Sequence, residues 1–286
     1  AGVCTPTSPL KMSLSSARTS KTRNNAGSLM RTLLVADLHL SSDTPEINQG
    51  FYRYLEHTAP GADALYILGD LFDAWIGDDL LDANTHPLSV VAHEVIRHLR
   101  RLSSDGTAVY LMHGNRDFLL GERFINACQA FLLPDIEEVE IQGIPVLLLH
   151  GDSLCTQDEA YMAFRKQSRN PEWQAQMLAL PLEQRVALAQ SLRTQSGEAN
   201  ANKAEAIMDV TPQEVIALME HHGLTTMIHG HTHRPRVHDL TVEDVPAKRY
   251  VLGDWDAQHG WDIIIERADH TAPRLRQFSL TELPDS

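Results

Sequence analysis

Five short apolar runs in this chain are each followed by side chains that can bind a metal ion. The runs cover 32–36, 64–68, 107–112, 145–149 and 225–228, and the side chains after them are Asp37 and His39, Asp70, Asn115, His150, and His231 and His233. Short apolar runs separated by helical patterns predict buried strands of α/β units. Because open α/β sheets place ligands at the carboxyl ends of their strands, we expect these side chains to meet at one such edge.

The remaining patterns complete an α/β fold. Helices are expected at 46–58, 87–102 and 212–221, and alternating runs that predict antiparallel strands cover 236–242, 249–252 and 261–266. The last helix carries Thr211 at its expected N-cap, Pro212 in its first turn and Glu214 three residues after the cap, which predicts a capping box. Together these patterns predict two sheets packed face to face, with helices on the outside.

Length and composition leave the domain count open. At 286 residues, with 43% apolar and 22% charged side chains, the chain reads as globular, and one large domain with an insertion is as plausible as two domains. No apolar run approaches the roughly 20 residues of a membrane-spanning helix. The cysteines, Cys4, Cys128 and Cys155, are odd in number and lack metal-binding spacing, which predicts a reducing compartment such as the cytoplasm.

Charge is distributed unevenly along the chain. Residues 1–36 contain no Asp or Glu, and 1–29 also lack hydrophobic periodicity, so we expect 1–29 to be a disordered leader or an appended segment. The rest of the chain is strongly acidic, within a formal net charge of −14. An acidic body repels the phosphates of nucleic acids, so a general DNA or RNA binder is disfavoured.

Between residues 155 and 209 the strand signal disappears and several helical segments replace it. This stretch is nearly neutral, with six basic and seven acidic residues, and we expect it to be a helical insertion over the candidate site. Its apolar side chains fit either a small hairpin core, which the sequence alone favours, or a ligand chamber. They are Tyr161, Met162, Phe164, Trp173, Met177, Leu178, Val186, Leu188 and Leu192.

The side chains after the five runs offer three oxygen ligands and four imidazoles. That mixture suits a pair of borderline divalent cations better than Mg²⁺ or Ca²⁺, which prefer all-oxygen shells. Asp70 could bridge two cations, because a carboxylate has the lone pairs and the charge to hold both at a separation of about 3.5–4 Å. Any one of these residues could be structural, but the whole set at strand ends is hard to explain in that way.

The ordered ligand set resembles the calcineurin-like metallophosphoesterase superfamily, whose fold is an αββα sandwich of two mixed sheets. The resemblance implies that one metal is held by Asp37, His39, Asp70 and His233, and a second by Asp70, Asn115, His150 and His231. It also implies that a metal-bridging hydroxide attacks phosphorus in line. Residues 30–286 would then form one metallophosphoesterase domain, with the insertion at about 155–209 as a lid.

One position departs from the common superfamily pattern. Many members carry Gly-Asn-His, whose histidine can protonate a leaving alkoxide, whereas this chain has Gly114-Asn115-Arg116-Asp117. Arginine binds phosphate bidentately but does not donate a proton. A phosphate leaving group, with a second pKa of about 6, needs no protonation, so the substitution favours cleavage of a diphosphate bond. A structural Arg116–Asp117 ion pair is the alternative.

Four longer segments match one family within that superfamily. They are LGDLFDAW at 68–75, HGNRDFLLG at 113–121, GDSLCT at 151–156 and HGHTHRP at 229–235. These segments resemble the UDP-2,3-diacylglucosamine diphosphatases of lipid A biosynthesis, over roughly residues 31–267. The resemblance implies that two Mn²⁺ ions, or alternatively Fe or Zn, support hydrolysis of UDP-2,3-diacylglucosamine to UMP and 2,3-diacylglucosamine 1-phosphate. The hydroxide would attack the uridine-side phosphorus.

The same resemblance implies roles for individual residues. Substrate would be bound by Asn115, Arg116, Asp158, Ser196, Asn200, Lys203 and His231, and the catalytic residues would be Asp70, Asn115, Arg116 and His231. Ser196, Asn200 and Lys203 share one helical face, although spacing alone favours an ordinary solvated face. The resemblance further implies a lid that holds two acyl chains and peripheral attachment to the cytoplasmic face of the bacterial inner membrane.

Two other functions stay open from the sequence. The first is a phosphodiesterase or phosphatase of the same superfamily that acts on soluble nucleotides, and Arg116 and the nearly neutral insertion argue against it. The second is a non-catalytic, metal-stabilised interaction module. Retention of all seven ligands and Arg116 argues against that function.

Overall fold

The computed structural model describes residues 30–201, 209–267 and 272–284, without the side chains of 195–201. The leader expected at 1–29 lies outside the described residues. The strands are β1 (Arg31–Val35), β2 (Ala64–Leu68), β3 (Ala108–Met112), β4 (Phe131–Leu132), β5 (Ile136–Ile141), β6 (Ile144–Leu149), β7 (Thr226–His229), β8 (Arg236–Val242), β9 (Val245–Val251), β10 (His259–Glu266) and β11 (Arg274–Ser279). The helices are α1 (Pro45–Arg53), which continues into a π-helical turn (Tyr54–Thr58), α2 (Pro87–Ser104), α3 (Glu122–Cys128), α4 (Glu159–Ser168), α5 (Pro171–Leu178), α6 (Leu182–Ala201) and α7 (Pro212–His222).

The strands form two mixed sheets. The first has the order β11-β10-β1-β2-β3-β4, in which β1, β2, β3 and β4 run parallel and β10 pairs antiparallel with both β1 and β11. The second has the order β5-β6-β7-β9-β8, in which β6, β7 and β9 run parallel and the edge strands are antiparallel. The prediction of two mixed sheets is confirmed.

The core divides into three apolar layers, because side chains alternate between the two faces of each strand. Along β1, Leu33 and Val35 belong to the layer under helices α1, α2 and α3. Leu34 belongs to the layer between the sheets, which also contains Leu148 of β6. Leu149 of β6 belongs to the third layer, under α7. Helices therefore cover the outer faces of both sheets, as the αββα prediction requires.

Three strands, β4, β5 and β11, have no counterpart among the expected strands, and all three lie at sheet edges. Edge strands tolerate polar and charged side chains, which hide the apolar alternation that marks a strand. The clearest case is β5, whose sequence Ile-Glu-Glu-Val-Glu-Ile carries three acids.

The capping-box prediction for α7 is wrong in its hydrogen bond. Thr211 is the N-cap residue and Pro212 follows it, as expected, but the Thr211 side chain makes no capping hydrogen bond. Its hydroxyl lies 2.7 Å from the hydroxyl of Thr156 instead. The contact ties the start of α7 to the segment that precedes α4.

The insertion consists of α4, α5 and α6, which confirms its expected helical character. None of the nine apolar side chains assigned to a hairpin core is fully buried, so they do not form a closed core of their own. Two ion pairs, Arg185 with Asp79 and Arg193 with Asp73, attach α6 to the segment after β2. In the described part of the chain, no helix combines the length and the apolar character needed to cross a bilayer.

Candidate metal centre

The seven candidate ligands follow β1, β2, β3, β6 and β7, at the carboxyl ends of parallel strands from both sheets. Five of them have left-handed backbones: Asp37, His39, Asp70, His231 and His233, with φ values of 54°, 50°, 52°, 67° and 53°. This conformation is uncommon outside glycine, and strained residues cluster at functional sites. The sharp turns redirect these side chains from the strand ends toward one another.

Two glycines allow the ligand-bearing loops to pack closely. A Cβ atom on Gly114 would lie 2.1 Å from Oδ1 of Asp70, and one on Gly230 would lie 2.2 Å from Oδ2 of Asp37. No side chain can be accommodated at such distances without moving a candidate ligand. Close packing therefore explains why a glycine precedes Asn115 and another precedes His231.

The first group of ligand atoms gathers around Asp37. Nε2 of His233 lies 3.4 Å from Oδ1 of Asp37 and 3.2 Å from Nε2 of His39. Nε2 of His39 lies 4.0 Å from the same Asp37 oxygen. Two imidazole nitrogens and a carboxylate oxygen thus point into one small space.

The second group gathers around Asn115. Its amide oxygen lies 3.0 Å from Nε2 of His150 and 2.9 Å from Nδ1 of His231. The other nitrogen of His150, Nδ1, lies 2.8 Å from the carbonyl oxygen of Leu68. A carbonyl only accepts, so Nδ1 carries the proton and the lone pair of Nε2 is available to a cation.

Asp70 joins the two groups through a single oxygen. Its Oδ2 lies 3.9 Å from Nε2 of His39 and 3.7 Å from Nε2 of His150. Its Oδ1 accepts a hydrogen bond of 2.8 Å from the backbone N–H of Arg116, which fixes the carboxylate. This is the geometry expected of a carboxylate that bridges two cations.

The donor set fits divalent cations. Oδ1 of Asp37 is buried and has no hydrogen-bond partner among the described residues. A buried carboxylate oxygen that makes no hydrogen bond is costly, and a cation bound by it and by Nε2 of His233, 3.4 Å away, would remove that cost. Ligand atoms of Asp37, His39 and His233 lie within 4.8 Å of one another, and so do those of Asp37, Asp70 and His150.

The electrostatics also favour cations. Burial lowers the pKa of the His39 imidazole to about 3 and that of His231 to about 4. Both rings are therefore neutral near pH 7 and can give a nitrogen lone pair to a cation. Burial raises the pKa of the Asp70 carboxyl to about 7, and the charges of Asp117 and Asp37 add to this rise against the effect of His150. A nearby divalent cation would lower that pKa and stabilise the ionised form.

A cavity of about 560 Å³ opens directly onto the metal centre. His39, Asp70, Asn115, His231 and His233 line one end of it. Its apolar wall includes Phe118, Phe164, Trp173, Met177, Leu188 and Leu192, most of which come from the insertion. The insertion therefore forms one wall of a chamber that is continuous with the candidate ligands.

Comparison with known proteins places this site in a family. A family model described as Calcineurin-like phosphoesterase matches residues 30–235. The chain belongs to the calcineurin-like phosphoesterase family. Relatives named UDP-2,3-diacylglucosamine hydrolase include proteins from Chromohalobacter salexigens (56% identical, covering 87% of this chain and 98% of that protein), Cellvibrio japonicus (53%, covering 81% and 93%) and Pseudomonas aeruginosa (48%, covering 84% and 97%).

The residues expected to bind substrate in this calcineurin-like phosphoesterase are only partly described. Arg116 lines the cavity, and its guanidinium makes no hydrogen bond or ion pair with any described residue. Asp158 also lines the cavity, and its side chain accepts a hydrogen bond from the N–H of Tyr161 at the start of α4. Ser196 and Asn200 lie in the last part of α6, 195–201, whose side chains are not described, and Lys203 lies outside the described residues.

The alternative of a structural Arg116–Asp117 pair is wrong. The Asp117 carboxylate is buried and accepts from the backbone N–H groups of Asp70 at 3.3 Å, Leu71 at 2.8 Å and Gly114 at 2.7 Å. Its lone pairs are used to join the two ligand loops. Arg116 is thereby left to face the cavity.

Sequence reasoning missed a polar network beside the centre. The Asp152 carboxylate accepts from the Tyr161 hydroxyl at 2.6 Å and from Nε of Arg165 at 2.9 Å. The Tyr161 ring centroid lies 5.8 Å from that of His231. The position of Asp152 two residues after His150 was the only available signal, and the partners from α4 are not readable from spacing.

Proposed function

We propose that the chain hydrolyses the diphosphate bond of UDP-2,3-diacylglucosamine, giving UMP and 2,3-diacylglucosamine 1-phosphate for lipid A biosynthesis. The observation that carries the proposal is the cavity that joins the candidate metal ligands to an apolar wall. A substrate with a diphosphate at one end and acyl chains at the other matches that division. The names of the relatives at 48–56% identity support the same substrate.

Two divalent cations, Mn²⁺ by resemblance and Fe or Zn as alternatives, would be held in two groups. Asp37, His39, Asp70 and His233 would hold one cation, and Asp70, Asn115, His150 and His231 the other. When bound, the cations would supply an activated water and neutralise charge on phosphate oxygens. Attack by water on the uridine-side phosphorus would place the water oxygen in UMP.

The protein's own contribution is to bind and orient the diphosphate. Arg116 has no described ion-pair partner and faces the cavity, so its planar guanidinium is available to bind phosphate bidentately. Asn115 and His231, beside it, would orient the phosphate. No proton donor is required, because the departing sugar phosphate is already a stable anion.

The insertion would act as a lid that holds acyl chains. Phe118, Phe164 and Trp173 form an aromatic cluster with ring centroids 6.1–6.4 Å apart in the cavity wall. Such a surface binds apolar chains better than a soluble nucleotide. A substrate of this kind resides in a bilayer, so we also propose peripheral attachment to the cytoplasmic face of the inner membrane.

The products formed in ¹⁸O-labelled water test the reaction. Isotope in UMP, and none in the sugar phosphate, is expected. Turnover of UDP-2,3-diacylglucosamine should greatly exceed that of UDP-glucose and of a simple aryl phosphodiester. Equal turnover of all three would favour the soluble-nucleotide alternative.

Two substitutions test the residue assignments. Asp70→Ala should lose most activity while the fold is retained, and wild-type turnover would contradict the bridging role and favour a non-catalytic metal site. Lys203→Ala should raise KM more than it lowers kcat. An unchanged KM would remove Lys203 from the substrate face.

A further inference from the structure

Each imidazole that binds a cation through one ring nitrogen leaves its other nitrogen, here called the distal nitrogen, to face the protein. The distal nitrogen of His150 meets the backbone carbonyl of Leu68. The distal nitrogen of His233, Nδ1, lies 3.5 Å from Oδ2 of Asp254. His233 therefore has a carboxylate behind it, on the side away from Asp37 and His39.

His233 is the imidazole that most needs such a partner. Its side chain is 39% exposed, compared with 18% for His39 and 2% for His150. Burial helps to hold the rings of His39, His150 and His231 in place, whereas an exposed ring can rotate unless something outside the core orients it. A contact at the distal nitrogen supplies that orientation and also selects the tautomer.

The loop that presents Asp254, residues 252–256, is attached to two ligand-bearing segments. The N–H of Leu252 donates to the carbonyl of His229 at 2.8 Å, and the N–H of Trp255 donates to the carbonyl of Asp37 at 3.1 Å. The Trp255 indole is buried and donates to the carbonyl of Trp261 at 3.1 Å. Asp254 thus stands on a rigid loop rather than on a free surface turn.

We infer that Asp254 is a positioning residue for the metal centre: it accepts a hydrogen bond from Nδ1–H of His233 and holds Nε2 toward the cation that Asp37 and His39 would bind. The negative charge behind the ring makes Nε2 more basic and therefore a stronger ligand for a cation. The inference rests on the proposed function only in requiring that cations bind at this centre. It adds a residue that lies outside the seven ligands and the substrate-binding set.

Titration of the metal-free protein with Mn²⁺ by calorimetry tests the inference, with Asp254→Asn and Asp256→Asn as a matched pair. Both substitutions remove one charge from the same loop. Asp256 uses Oδ1 to accept from the N–H groups of Gln258 and His259 at 2.7 Å each, and asparagine can keep these bonds. The two variants therefore differ in the contact with His233.

We expect Asp254→Asn to weaken one of the two Mn²⁺ sites by about 10–100-fold, because loss of an outer carboxylate has effects of that size. Asp254→Ala should lose at least as much, and Asp256→Asn should match wild type within about twofold. The unfolding midpoints of the metal-free proteins should stay the same, since a structural defect would lower them.

Three results would overturn the positioning role: Mn²⁺ affinities of Asp254→Asn within about twofold of wild type, an equal loss in Asp256→Asn, or a loss accompanied by a lower metal-free unfolding midpoint. A failure of the proposed function looks different. Wild type would then bind no pair of Mn²⁺ ions, or would bind them without hydrolysing UDP-2,3-diacylglucosamine.

Discussion

Replacement of Asp117 by asparagine should weaken the junction between two ligand loops. The carboxylate is 1% exposed and accepts three backbone N–H groups, from Asp70, Leu71 and Gly114. Asparagine has one oxygen, so in its best orientation the amide NH₂ faces the N–H of Leu71 and one bond is lost. The two remaining bonds change from charge-assisted to neutral.

The magnitude follows from these contacts. A hydrogen bond to a charged group contributes about 1.5–3 kcal/mol, and a neutral one about half of that. One lost bond and two weakened bonds together predict a fall of about 3–6 kcal/mol in the free energy of unfolding. For a domain of this size, a fall of that order corresponds to roughly 10 °C in the unfolding midpoint.

Equilibrium unfolding in urea, followed by tryptophan fluorescence with and without Mn²⁺, measures the effect. Asp105→Asn is a suitable control because Asp105 is exposed at the end of α2, where a surface substitution changes stability by less than about 0.5 kcal/mol. The Asp117 variant should also bind Mn²⁺ more weakly, because Asp70 and Asn115 lose a shared support. A change below about 1 kcal/mol would refute the role assigned to this carboxylate.

Three further outcomes are expected. Asp152→Asn should destabilise the protein by about 2–4 kcal/mol near pH 7, because it weakens hydrogen bonds from Tyr161 and Arg165. Burial alone would raise the pKa of Asp152, but the charges of His150 and Arg165 hold it below its ordinary value of 3.8. In urea unfolding, the difference in free energy of unfolding between wild type and Asp152→Asn should therefore be largest above about pH 4 and decrease below it. Arg116→Lys should lower kcat/KM at least tenfold while leaving Mn²⁺ affinity unchanged, because a lysine cannot bind phosphate bidentately. Chelation of the metal should lower stability by about 2.7 kcal/mol for each cation removed, relative to protein at a free metal concentration of 100 Kd, measured by calorimetric unfolding.

The candidate ligands could be predicted because the strand and the ligand that follows it are both visible in one short segment of sequence. The strands that carry ligands are short apolar runs, and each ligand follows within four residues of a strand end, as Asp70 follows Leu68. The fold places these ends at one edge whatever the details of the loops. The glycines at 114 and 230 directly precede Asn115 and His231, but the ligands that they make room for, Asp70 and Asp37, are distant from them in sequence.

The remaining features depend on contacts that are distant in sequence. The polar network of Asp152 needs α4 to lie beside the loop after β6, and the role of Asp254 needs the 252–256 loop to lie behind His233. The edge strands depend on pairing with a neighbour more than on their own composition, which is why β5 escaped prediction. Spacing within one segment holds no information about any of these partners.

The two parts of the site are attached to the fold by different forces. Buried backbone hydrogen bonds and close glycine contacts hold the ligand loops, and these are insensitive to salt. The insertion is held by the buried Asp152 carboxylate, which accepts from Tyr161 and Arg165, and also by ion pairs with at least one exposed partner. Those pairs, such as Arg193 with Asp73 and Arg165 with Asp135, are screened by salt. The proposed lipid substrate would enter between the insertion and the candidate ligands. If salt-screened pairs hold part of the insertion, the apolar wall should open more easily than the loops that carry the candidate ligands.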